Sequence, residues 1–293
     1  MLKSFQLLLL RAFIGFLSCL PKSWISGLSK LLYFFLSPLM GKEFKKLYLN
    51  VEKIYGVPKH SGFARNFAKQ VILHQIESGI ESLISCRAPQ GKDPVQINGL
   101  SELEETIAEL KKCGRGIVVV TGHLGMWEFV AKYCAVAAKE TFNALAKPSK
   151  SPAVTQYMDE TRGKMNTNVL WTDKKTLLKD MISVIRKGEI LGFVMDQKPD
   201  SRKGPEVEFF DRPTVFVSGP AKLAAKMNSP VLGVFCMREG PWQYRIVHKV
   251  ILEAEHDVSD ELHLTQEMAS EIERVIKLYP EQWVWNYKRW RFQ

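Results

Sequence analysis

Cysteine is scarce in this 293-residue chain, and its spacing pairs nothing: Cys19, Cys86, Cys113, Cys134 and Cys236 include no C-x-x-C. An odd count without such a pair argues against a disulfide framework and a cysteine-rich zinc site, and it fits buried thiols in a reducing compartment. The six histidines form no H-x-x-x-H pair and none has a cysteine at ligand spacing, so no metal centre is expected. No G-x-S-x-G elbow occurs. The Gly-Lys pairs at 41–42, 91–92 and 163–164 lack the Ser or Thr of a phosphate loop, and Gly114-Arg115-Gly116 lacks the third glycine of a dinucleotide site. Serine-hydrolase, nucleotide-hydrolase and nicotinamide readings fall away, and no cofactor is expected.

Charge is abundant but unevenly placed. The chain carries 41 Lys and Arg against 31 Asp and Glu, a net of +10. Residues 1–48 hold Lys3, Arg11, Lys22, Lys30, Lys42, Lys45 and Lys46 against Glu43 alone, and the segment from Pro280 holds Lys288, Arg289 and Arg291 against Glu281. The body between them is nearly balanced. A nucleic-acid binder carries its basic stripe across the folded body, so the distribution favours an anionic membrane surface and no nucleic acid.

The same end of the chain is apolar. Phe5–Leu20 is broken only by Gln6, Arg11 and Ser18 and closed by Pro21; Trp24–Met40 is interrupted by Lys30 and Pro38. A spanning helix needs about 20 apolar residues. The first stretch is shorter and has an arginine near its middle, which also breaks the apolar run of a cleaved signal. Both stretches suit interfacial helices with cations at the headgroups, and the sequence leaves a single span and a one-sided anchor open. The reading is a membrane anchor over 1–42 and a folded domain over 43–293. The closing WVWNYKRWRF is read as an interfacial aromatic and basic belt.

Apolar spacing predicts helix from Phe44 to Cys86 and a connector over 88–99. Ser101 with Glu104 predicts a capping box on a helix ending near Cys113. From there the pattern alternates. Strands are expected at 117–121, 143–146, 169–171, 189–195, 231–237 and 244–252. Helices are expected at 126–139, 152–164, 174–186 and 218–227, with a last helix capped by Ser259 and running to Leu278. Strands alternating with helices predict an α/β fold, a mainly parallel central sheet flanked by helices.

In such folds reactive groups gather beyond the carboxyl ends of strands. The expected strand 117–121 is followed by Gly122-His123-Leu124-Gly125-Met126-Trp127-Glu128. If the loop folds His123 back toward Glu128, the imidazole takes a proton from a hydroxyl while the carboxylate fixes its tautomer, the pairing that acyl transfer needs. The same two residues also suit a hydrogen-bonded loop histidine and a helix-start carboxylate that complements the dipole.

T-G-H-L-G-M-W-E resembles the H-x4-D/E signature of the glycerolipid acyltransferases, in the form used by the bacterial lipid A biosynthesis (lauroyl/myristoyl-type) acyltransferases. Further segments fit that family in order: Lys147-Pro-Ser-Lys-Ser-Pro152, Thr161-Arg162-Gly163-Lys164, Met195-Asp196-Gln197, Phe209-Phe210-Asp211-Arg212-Pro213-Thr214, and Pro280-Glu281-Gln282-Trp283-Val284-Trp285 with Lys288-Arg289-Trp290. The resemblance covers essentially the whole chain. Lys147 stands where arginine is usual, Asp211 replaces a glycine, and Met126 holds a position common for Asn.

The resemblance implies a glycerolipid acyltransferase-like fold with an amino-terminal apolar helical anchor at the bacterial inner membrane, its site facing the cytoplasm. It implies His123 as general base oriented by Glu128, with Arg162, Asp196 and Lys147 on the substrate side. It further implies an acyl carrier protein thioester as donor and a hydroxyl of a lipid A precursor as acceptor. Alternatives are another glycolipid, aminolipid or lysophospholipid acceptor, with acyl-CoA as donor, and a lipid-binding protein without activity.

Overall fold

The central strands owe their place to composition. Ile117–Thr121 (β2) and Ile190–Val194 (β5) are short, apolar and almost wholly buried, as strands covered on both faces must be. In the computed structural model, which describes residues 2–88, 93–197, 199, 204–254, 260–287 and 289–290, they pair in parallel, with Ile117 opposite Ile190 and Thr121 opposite Val194. Phe142–Ala146 (β3) and Thr167–Trp171 (β4) extend the sheet beyond β5. On the other side Val231–Gly240 (β8) pairs with β2, then Gln243–Leu252 (β9) and Gln96–Asn98 (β1) follow, giving the order β1-β9-β8-β2-β5-β3-β4. All neighbours are parallel except the β8–β9 hairpin, so β9 and β1 run against the other five strands. The expected mainly parallel sheet is present, with a reversed edge.

Helices cover both faces. Alternation along β2 sends Ile117 and Val119 to one face and Val118 and Val120 to the other. The first pair packs with Leu100–Lys111 (α5) and Trp127–Ala138 (α6); the second packs with Leu177–Arg186 (α8), Gly219–Met227 (α9) and Glu261–Leu278 (α10). Pro152–Lys164 (α7) joins β3 to β4. At the amino terminus lie Leu2–Cys19 (α1), Ile25–Leu36 (α2), Gly41–Tyr55 (α3) and Gly62–Ser85 (α4).

Local expectations fail where a short-range signal met a stronger constraint. The helix expected over 44–86 is two helices, because Gly56 takes a left-handed φ of 65° and Pro58 follows. Ser101 lies inside α5 rather than capping it; Gly99 holds the cap position and no side chain caps the helix. Ser259 lies outside the described residues, and the side chain of Asp260 caps α10 by accepting from the Leu262 N–H.

A small antiparallel hairpin, Glu206–Glu208 (β6) with Pro213–Val215 (β7), was not expected. Its turn places Phe210 and Asp211 at φ 57° and 54°, the twist a two-residue hairpin favours and the conformation that glycine adopts most readily.

The carboxy-terminal tail is also not the exposed belt its composition suggested. Trp283, Trp285 and Trp290 are 2%, 0% and 4% exposed, packed with Phe209 and Phe216 of the hairpin region. Arg289 is fully buried, its guanidinium 3.8 Å from the centre of the Phe216 ring. Burial pushes its pKa down to about 10, with the Asp196 charge acting the other way. Lys288 and Arg291 lie outside the described residues.

Candidate active site

Two neighbouring parallel strands deliver the two central groups. Because Thr121 faces Val194 in register, the residues two positions beyond each, His123 and Asp196, leave the same edge of the sheet at the same level. His123 Nδ1 lies 2.7 Å from Asp196 Oδ1, and the His123 backbone N–H donates to Oδ2 at 2.9 Å. The Trp283 indole N–H donates to the same Oδ2 at 2.8 Å. The carboxylate therefore receives three donors in a buried setting, each charge-assisted bond contributing about 1.5–3 kcal/mol.

The loop carrying His123 is fixed by the buried tail. The Val284 N–H donates to the His123 carbonyl, and the Gly125 N–H donates to the Gln282 carbonyl. Gly125 has a φ of +57°, and a Cβ there would run into the Cys236 carbonyl oxygen. Gly125→Ala is therefore expected to destabilise the protein by about 2–4 kcal/mol, read as a lower urea midpoint with an unchanged slope. A midpoint within error of the parent would show that this loop is not held as described.

Glu128, in the first turn of α6, does not orient His123. Arg162 from α7 takes both of its oxygens, Nε to Oε2 at 3.0 Å and Nη2 to Oε1 at 2.6 Å. The planar guanidinium matches the carboxylate fork, leaving Glu128 committed to the arginine and the imidazole to Asp196. The expected His123–Glu128 hydrogen bond is thus replaced by two ion pairs, His123–Asp196 and Arg162–Glu128. The third nitrogen of Arg162, Nη1, is buried and has no hydrogen-bond partner among the described residues. Lys147 is exposed just past the end of β3, beside β5 in the sheet.

Electrostatics follow from this pairing. Burial disfavours the imidazolium of His123, but the charge and hydrogen bond of Asp196 outweigh it and Glu128 adds to them, so its pKa stands above the usual 6.5. Burial raises Asp196, but the imidazole, Trp283 and the His123 N–H together hold it below the usual carboxylate range. With Nδ1 engaged by a carboxylate, the neutral ring keeps its lone pair on Nε2. The Gln197 side-chain nitrogen lies 3.3 Å from Nε2.

Beneath Glu128 and Arg162 an apolar cavity of about 50 Å³ reaches Val119, Phe142 and Phe193. Small-molecule sites occupy roughly 300 Å³ or more, so a long chain enters only if these side chains move. A larger cavity of about 520 Å³, lined by Lys132, Tyr133 and Lys164, contains none of the five expected site residues.

Trp283 and Gln197 were visible in the sequence only as members of motifs. The equal offset of His123 and Asp196 from the ends of two buried strands was the signal that could have joined them.

A histidine–carboxylate pair thus stands at the carboxyl edge of a parallel sheet, with Nε2 beside Gln197 and an arginine–carboxylate pair on the neighbouring helices. A family model described as bacterial lipid A biosynthesis acyltransferase matches residues 1–292. The chain belongs to that family.

Among its relatives, a phosphatidylinositol mannoside acyltransferase of Mycobacterium tuberculosis is 25% identical over 197 residues, 66% of this chain and 59% of the relative. The lipid A biosynthesis lauroyltransferase of Escherichia coli (strain K12) is 24% identical over 189 residues, 64% of this chain and 60% of the relative. The matched region thus spans about three fifths of the length of these curated relatives.

Proposed function

We propose that the protein is an O-acyltransferase acting on a glycolipid at the cytoplasmic face of the bacterial inner membrane. It transfers a fatty acyl chain from an acyl carrier protein thioester to a hydroxyl of a lipid A precursor. The single observation that carries this reading is the His123–Asp196 pair, whose engaged Nδ1 leaves Nε2 as the basic nitrogen, in a chain that the lipid A acyltransferase family matches over residues 1–292. His123 Nε2 accepts the acceptor proton as the oxygen attacks the thioester carbonyl. The tetrahedral intermediate collapses, the carbon–sulfur bond breaks, and the imidazolium returns the proton to the departing thiolate. Asp196 holds the ring and stabilises its charged form.

Arg162 supports the same reading. Two of its nitrogens are committed to Glu128 while Nη1 remains unpartnered, suited to the developing oxyanion or a lipid phosphate. Arg162→Lys keeps the charge but loses the fork, and kcat is expected to fall about 10²-fold. A variant with parental kcat would remove Arg162 from the mechanism. Lys147, exposed at the same edge, suits the acidic surface of a carrier protein.

A second acceptor is favoured by the mycobacterial relatives, whose name specifies a phosphatidylinositol mannoside. Mass spectrometry of total lipids before and after removal of the gene separates the readings. A missing secondary acyl chain on lipid A supports the first, and a change confined to another glycolipid supports the second. No change in any acylated lipid would contradict both.

A further inference from the structure

Large apolar side chains are exposed mainly at one end of the chain. Among the described residues, eleven of the eighteen exposed large hydrophobics fall between Phe5 and Leu39. On α1 they recur as Phe5, Leu8, Leu9, Phe13 and Phe16, one helical stripe; on α2, Phe34 and Phe35 are 70% and 62% exposed. A soluble surface rarely leaves so large an apolar patch bare.

The opposite faces of both helices are bound to the body. Leu7 and Ile14 pack with Ala153 and Tyr157 of α7, while Leu17 and Ile25 join the core beneath α5 and α6. Arg11, mid-way along α1, pairs with Glu160 of α7 at 2.6 Å, and its carbonyl accepts from Arg87. These contacts run from Leu7 to Leu17, about 15 Å of helix axis. No single helix among the described residues is long and apolar enough to cross a membrane, and the one pair that together has the length and composition to do so, Phe5–Cys19 with Lys22–Leu39, is bent by 105°. A spanning arrangement would have to strip α1 from α7 and carry Arg11 into hydrocarbon of about 30 Å thickness.

We infer that α1 and α2 form a fixed, one-sided lipid-docking surface. They lie in the near leaflet of an anionic bilayer with both chain ends on the same side, and do not cross it. Charge supports this occupant. Lys30, Lys42 and Lys45 are exposed around the ridge, and Arg65 and Lys69 line an open groove with Tyr33 and Pro38 at the end of α2. The docked face lies one helix from the site, since α7 carries both Glu160, which holds α1, and Arg162, which holds Glu128. A lipid acceptor therefore approaches from the leaflet in which the enzyme rests. The inference depends on the membrane location proposed above but not on acyl transfer.

The test uses the full chain tagged at both ends, in sealed inverted inner-membrane vesicles with protease outside. Cleavage of both tags is expected; an amino-terminal tag protected while the other is cut would overturn the one-sided arrangement. With purified protein and preformed vesicles of phosphatidylethanolamine and phosphatidylglycerol, Phe34→Ser with Phe35→Ser is expected to weaken binding about tenfold or more. The thermal midpoint should stay unchanged, because both rings are already exposed. Undiminished vesicle binding would overturn the ridge as the docking face. If the parent chain binds neither vesicles nor native membranes, the membrane location itself is wrong, whatever the outcome for acyl transfer.

Discussion

His123→Ala is expected to lower kcat for acyl transfer by about 10³–10⁴-fold, with the KM for the donor changed little. The imidazole is the group at the sheet edge that is both hydrogen-bonded to a buried carboxylate and left with a second nitrogen able to accept a proton. Removing it leaves Arg162 and the site's shape intact, so binding persists while proton removal from the hydroxyl is lost. A far-ultraviolet spectrum and thermal midpoint matching the parent would separate this from misfolding. A variant retaining more than about a tenth of the parental kcat would assign the base elsewhere.

Asp196→Asn carries the second large effect, about 10²–10⁴-fold in kcat. The substitution keeps size and shape but removes the charge that stabilises the imidazolium, and its amide can turn a donor toward Nδ1, favouring the wrong tautomer. The sign of the pH effect follows. A protonated His123 cannot act as base, so activity rises with pH through its pKa, and Asp196 holds that pKa above the usual 6.5. Without Asp196, burial is the largest remaining influence and lowers it, so the acidic limb moves to lower pH while the plateau falls. Glu128→Gln behaves differently. Glu128 also favours the charged imidazole, but less than Asp196 does, and its direct partner is Arg162. Its loss is therefore expected to depress the plateau with a smaller displacement of the limb.

The parts of the fold that were legible in the sequence are those where one physical cause dominates. Ile117–Thr121 and Ile190–Val194 read as buried strands because β-branched and other apolar residues fill both, with Gly116 and Gly122 bounding the first and Glu189 and Asp196 bounding the apolar run of the second. The three-residue strands β1, β6 and β7 lack that signal. Glu206 and Glu208 flank one buried valine in β6, and pairing with β7 rather than local preference makes the strand. The tail was misread for a related reason. Tryptophans and arginines suit a lipid interface or a core equally well, and only the Phe209–Phe216 hairpin region, which packs on them, selects burial.

The site divides in the same way. His123, Glu128, Arg162 and Asp196 were all named from motifs, but their pairing was expected from proximity in sequence, which joined His123 to Glu128 over five positions. The actual partners are set by strand register, which brings Asp196 across 73 positions to His123, and by α7, which swings Arg162 over α6. Register and helix packing are three-dimensional facts that spacing along one chain encodes weakly.

The role of the His123–Asp196 pair is tested most directly by the pH dependence of kcat/KM for acyl transfer, measured on the parent, Asp196→Asn and Glu128→Gln under the same conditions. An acidic midpoint above 6.5 is expected in the parent, with a clear shift to lower pH and a lower plateau in Asp196→Asn, and a smaller shift in Glu128→Gln. A midpoint that follows Glu128 and ignores Asp196, or a parent with no acidic limb at all, would contradict that role.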